Sequence, residues 1–84
     1  MKGDPPSIRV ACQKLVQAIV SKPSKAAVEE REEDGTLNLS LSVAKEDMGR
    51  VIGKEGKIIR AIRNLLRIRA IKEGKRIHLI LLEQ

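Results

Sequence analysis

Eighty-four residues suffice for one domain, 1–84, with a modest core, which leaves little room for a large enclosed active site and favours binding on an outer face. The apolar residues are almost all Ile, Leu, Val and Ala, and the lack of Phe, Tyr and Trp excludes recognition by stacking on aromatic rings. The formal net charge of +6 is confined to residues 45–84, which hold eleven Lys/Arg against five Asp/Glu, whereas residues 1–44 hold six of each.

After Asp4-Pro5-Pro6, a capping acid followed by prolines tolerated in a first helical turn, apolar residues fall at Ile8, Ala11, Cys12, Leu15, Val16 and Ile19. That spacing predicts an amphipathic helix ending before Pro23. Cys12 lies on its apolar stripe and reads as core filler, with no partner base in sight. A lone cysteine allows no intramolecular disulfide, and without a Cys/His cluster no structural zinc is expected. From Lys25 to Glu33 a weak strand pattern leads to Asp34-Gly35, a strong hairpin signal, and then to Thr36–Val43 in clean alternation. Leu37, Leu39, Leu41 and Val43 face one side, and Asn38, Ser40 and Ser42 the other. The acids Glu29, Glu30, Glu32, Glu33 and Asp34 read as protection of an edge strand.

A short helix is expected over Lys45–Val51, with Glu46 and Asp47 capping its start and Gly49 allowing it to pack closely. A longer one is expected over Lys57–Glu73, with Gly74 in the position past the end that favours a left-handed residue. Arg76–Leu82 reads as a final strand with Ile77, Leu79 and Leu81 toward the core. Its other face carries His78, Ile80 and Leu82. Two helices bridge the second and third strands, so these can run parallel. The expectation is an α+β fold, a three-stranded mixed sheet with three helices on one face in the order α-β-β-α-α-β.

Between the second and third helices lies Gly53-Lys-Glu-Gly56, a Gly-x-x-Gly loop at 53–56. Glycines lacking Cβ accept tight dihedrals and let a phosphate strand approach the peptide groups. The following helix start offers N–H donors and a partial positive charge, both favourable to phosphate, and Lys54 and Lys57 add full charges. Lys57, Arg60, Arg63 and Arg67 recur at spacings of three and four, a basic ridge running from the loop along one side of the helix. Basic residues gathered beside a phosphate-type loop favour nucleic acid over an anionic membrane.

The stretch from Val43 to Leu66, with Gly49-Arg-Val-Ile-Gly-Lys-Glu-Gly-Lys-Ile-Ile-Arg60 at its centre, resembles the KH-domain signature, whose Gly-x-x-Gly loop clamps nucleotides. More narrowly it is similar to the small bacterial single-KH RNA-binding proteins of the KhpA type. The resemblance is dense from Val43 to about Ala70, and implies a type II KH domain that binds single-stranded RNA. The residues it implicates are Arg50, Val51, Ile52, Gly53, Lys54, Glu55, Gly56, Lys57, Arg60 and Arg63, the aliphatic ones holding bases. Glu55 is the awkward one, because a carboxylate in a phosphate clamp repels its ligand unless it points outward or pairs with Lys54 or Arg50. The family further implies an RNA chaperone or post-transcriptional regulator, a larger KH-containing partner of the KhpB (Jag) type, and a link to cell-wall homeostasis and cell elongation.

An enzyme is not expected. His78 is the only histidine and has no acid-base partner, and the loop lacks the Lys-Ser/Thr element of a Walker motif. Neither is a cofactor or metal expected. The start has no apolar core of a signal peptide, and no apolar run approaches the roughly 20 residues that span a bilayer, so the reading is cytoplasmic, with no membrane partner. The alternative is a protein-interaction module with a weak RNA site. The long helix carries two apolar stripes, Ile59, Ile62, Leu66 and Ala70 beside Ile58, Ala61, Leu65 and Ile68, and one of them suits a homodimer interface. Ile59, Ile62 and Leu66 are the candidate anchors.

Overall fold

Residues 6–83 are described from a computed structural model, so the expected capping acid Asp4 and the adjoining Pro5 lie outside the described residues. Helix α1, Ile8–Gln17, is capped by Ser7, whose hydroxyl accepts a hydrogen bond from the Val10 amide at 3.2 Å. Its buried side chains are Ile8, Cys12 and Val16. Leu15, expected on that stripe, is more than a third exposed. Burial pushes the Cys12 thiol up to about 11, which suits the core role and not that of a thiolate nucleophile.

Strand β1, Ala27–Glu33, pairs antiparallel with β2, Thr36–Ser42. Asp34 and Gly35 take φ of 49° and 78°, the two successive positive values of a tight turn matched to strand twist. Strand β3, Arg76–Leu81, lies parallel to β2, with Leu39 opposite Leu79. The sheet order is β1-β2-β3, so the acidic β1 does form an edge. Helices α2, Met48–Ile52, and α3, Lys57–Lys72, fill the crossover. A tight turn over Lys45–Asp47 leads into α2, so the expected Lys45–Val51 helix forms as two pieces.

Val28, Leu37, Leu39, Leu41 and Leu79 make the sheet's inner face, covered by Cys12 and Val16 of α1, Val51 of α2 and Ile62, Leu66 and Ala70 of α3. The helix α3 ends as expected. Gly74 is left-handed, its N–H donates to the Ile71 carbonyl, and the Lys75 N–H donates to that of Ala70 at 2.8 Å. This fold corrects one expectation. Ile62 is 6% exposed and Leu66 3%, so these two candidate interface anchors belong to the interior, and Ile59 is half-buried against the same core. The outward stripe is the other one, with Leu65 at 56% and Ile68 at 57%.

Candidate nucleic-acid interface

The Gly-x-x-Gly segment is a single tight turn joining α2 to α3. Gly53 ends α2 with φ 75° and ψ 174°, and Gly56 precedes α3 in the left-handed region. Glu55 also has positive φ, at 57°, uncommon for a residue with a side chain. Three amides in and beside the turn are satisfied by nearby carbonyls: Gly53 N–H donates to the Gly49 carbonyl of α2, Gly56 N–H to that of Gly53, and Lys57 N–H to that of Lys54. The first α3 amide is therefore not a free donor, although the helix dipole still points its positive end at the loop.

The two glycines answer different needs. A Cβ on Gly53 would lie 2.6 Å from Ile58 Cγ1 and 2.9 Å from its Cβ, so the missing atom faces the protein's own helix and not a ligand. At Gly56 the nearest atom is the Arg60 guanidinium, 3.4 Å away, at the end of a flexible side chain. Gly49 meets nothing within 4 Å, so close packing of α2 does not explain it. These differences predict opposite outcomes in thermal melts. Gly53→Ala should destabilise by about 3 kcal/mol, from a dihedral pair natural to glycine plus the clash with Ile58. Gly49→Ala should raise stability by up to about 1 kcal/mol through helix propensity. A stable Gly53→Ala variant would show that the turn relaxes away from this geometry.

Lys54, Lys57, Arg60 and Arg67 are exposed, Arg63 is half-buried, and none of the five pairs with a described acid. Arg60 lies over Gly56, which joins the ridge to the loop. Arg69 is off the ridge, and its Nε donates to Glu73 at 2.7 Å. Glu55 is exposed and pairs with neither Lys54 nor Arg50. Of the aliphatic candidates, Ile52 is 38% exposed beside the turn, and Ile58, just after it on α3, is equally exposed. Val51 is wholly buried, which removes it as a base contact and makes it the core anchor of α2.

Asp47, expected as a cap, has a role that local patterning missed. Its carboxylate does not cap α2. It is fully buried and accepts from Ser21 N (2.9 Å), Ser21 Oγ (2.8 Å) and Lys22 N (3.0 Å), with Arg50 Nε at 3.3 Å. The Ser21 main-chain donor is the largest influence holding its pKa below the ordinary 3.8, against burial, with the Ser21 hydroxyl, the Lys22 amide and Arg50 acting in the same direction. A depressed carboxyl stabilises the fold fully above its unfolded pKa, and the contribution is lost as pH falls through the folded value. Glu46 pairs with Lys22 at the surface, each favouring the other's charged form.

Among the described residues there is no group of three or more His, Cys, Asp or Glu side chains placed to hold a metal, and no helix is long and apolar enough to cross a membrane.

The family model described as KhpA/KhpB, KH domain, matches residues 10–81. An RNA-binding protein KhpA of Listeria monocytogenes is 44% identical over 69 residues, covering 82% of this chain and 91% of that relative. The protein of the same name from Clostridium acetobutylicum is 41% identical over 63 residues, covering 75% and 84%. That from Chlamydia pneumoniae is 37% identical over 70 residues, covering 83% and 90%. Among solved structures, Aquifex aeolicus Era bound to GDP and aluminium fluoride superposes with a TM-score of 0.58 at 21% identity, covering 99% of this chain and 33% of that one. Era in complex with a nucleotide and a segment of 16S ribosomal RNA gives 0.56 at 19% identity, covering 96% and 35%. This chain thus spans about a third of Era, and at that identity the likeness concerns the fold alone.

Proposed function

This chain belongs to the KhpA/KhpB KH-domain family, and we propose that it binds single-stranded RNA by clamping the backbone with the turn Gly53–Gly56 and the ridge that follows. The observation that carries the reading is the line of cations Lys54, Lys57, Arg60, Arg63 and Arg67. Lys54 lies in the glycine turn and the other four along one side of α3, and none pairs with a described acid. Cations left without acidic partners supply the counterion release that drives phosphate binding. Ile52 and Ile58, half-exposed beside the turn, suit bases lying flat against aliphatic surface. Glu55 limits affinity by its charge.

In the cell such a protein acts as an RNA chaperone or post-transcriptional regulator in the cytoplasm, without catalysis. Family membership also motivates a larger KH partner of the KhpB (Jag) type and a role in cell-wall homeostasis and elongation. The second reading, a protein-interaction module, is supported by the outward stripe of α3, where Leu65, Ile68 and Ile71 are each more than half exposed. A second copy paired through that stripe would lie beside the basic ridge, since Ile71 follows Arg67 by four residues on α3.

The test is titration of labelled single-stranded RNA of mixed sequence at several salt concentrations. Affinity should fall with a log-log slope of about −0.7 per phosphate neutralised, and Arg60→Ala should make the slope shallower by roughly one contact. Duplex RNA should bind less well. A salt-independent affinity, or equal preference for duplex and single strand, would place binding elsewhere than the ridge.

A further inference from the structure

We infer that Asp47 is a positioning residue for the clamp: its buried carboxylate ties the start of α2 to the chain that leaves α1, and so holds the Gly-x-x-Gly turn in place. The inference rests on the RNA-binding reading for its functional consequence, although the structural part stands alone.

Helix α2 has only five residues, too few to persist without tertiary support, and Val51 is its one fully buried side chain. Met48, half-buried, packs against the same core, but apolar contact is non-directional and leaves so short a helix free to pivot. The directional anchor is Asp47, whose three accepted bonds reach residues 21 and 22, far away in sequence. No spacer separates α2 from the clamp, because Gly53 is both the end of α2 and the first glycine of the turn, with its N–H on the Gly49 carbonyl at 2.9 Å. Whatever sets the axis of α2 therefore sets the turn. Asp47 also holds Arg50 Nε at 3.3 Å, so the same carboxylate orients the cation that precedes the clamp.

The charge matters as well as the shape. Four donors converge on this carboxylate, and Asp47→Asn would turn an amide NH₂ toward one of them while releasing the attraction for Arg50. The Lys22–Glu46 pair at the surface cannot replace it, being exposed and screened.

The experiment compares amide hydrogen exchange and RNA titration in the wild type, Asp47→Asn and Ser21→Ala. In Asp47→Asn, exchange at Val51, Ile52 and Gly53 should speed by about tenfold or more while Leu39 in β2 is unchanged, and RNA affinity should fall by a similar factor. Ser21→Ala removes one donor and keeps the charge, so it should show the same pattern at smaller amplitude, and it carries the test should Asp47→Asn fail to fold. Exchange that is unchanged in α2, or raised equally in β2, would overturn the positioning role. Faster exchange in α2 with RNA affinity unaltered would cut its link to the clamp. A wild type that binds no RNA would instead refute the proposed function, and the exchange pattern would still decide whether Asp47 holds α2.

Discussion

The double substitution Lys54→Asp with Glu55→Asp should leave the protein folded and remove most of its RNA binding, by about 10- to 100-fold. Both side chains are exposed at the tip of the turn, and neither forms an ion pair or a side-chain hydrogen bond with a described residue. The backbone should tolerate the change well. Glu55 sits at φ 57°, where aspartate is better accommodated than glutamate, and both glycines of the turn are retained. The electrostatic effect is large in comparison, because reversing Lys54 removes a cation and adds an acid beside the positive end of α3. Circular dichroism melts beside a gel shift decide it. A folded double variant with undiminished binding would refute the clamp, and Gly49→Ala, one turn away, serves as the control that should bind normally.

Those features that local chemistry dictates were legible in the sequence, and those that depend on distant partners were not. Asp34-Gly35 and Gly74 announce positive φ by residue type, and the alternation Leu37, Leu39, Leu41 can bury only one face of a strand. The basic ridge follows from spacing alone. By contrast, the two apolar stripes of α3 have nearly equal composition, and periodicity cannot say which one meets the sheet. Ala70, wholly buried on the inner stripe, is a signal only after the fact, since a small residue there admits a close approach. Asp47 gave no local sign of its role because its donors at Ser21 and Lys22 come from beyond a whole hairpin. At Gly53 the sequence points to close approach by a phosphate strand, whereas the missing Cβ makes room for Ile58.

Which stripe faces outward also changes how self-association must be tested. At tens of micromolar the wild type should sediment as a dimer and Leu65→Asp as a folded monomer, whereas Leu66→Asp should not fold. Leu66 is 3% exposed among Cys12, Val16 and the inner face of the sheet, and an aspartate there would be a buried carboxylate with no described partner. The lost packing and the stranded charge together cost about 4 kcal/mol or more. A protein of this length holds roughly 4–12 kcal/mol in all, so the loss takes about a third of the margin at least and all of it at the low end. At Leu65, 56% exposed, the same substitution costs about 1 kcal/mol or less, and Arg69 one turn on offers the new carboxylate a partner. Any loss of association in that variant therefore reports on the surface and not on the fold. The groove beside it, lined by Ala11, Leu15, Ala18, Leu65 and Leu66 together with Lys14 and Arg69, gives a partner's apolar side chains a place to insert. Burying an aspartate in such a contact would oppose pairing directly. A wild type that remains monomeric would discard the homodimer and leave the exposed stripe to a different partner, for which the same Leu65→Asp variant is the first probe.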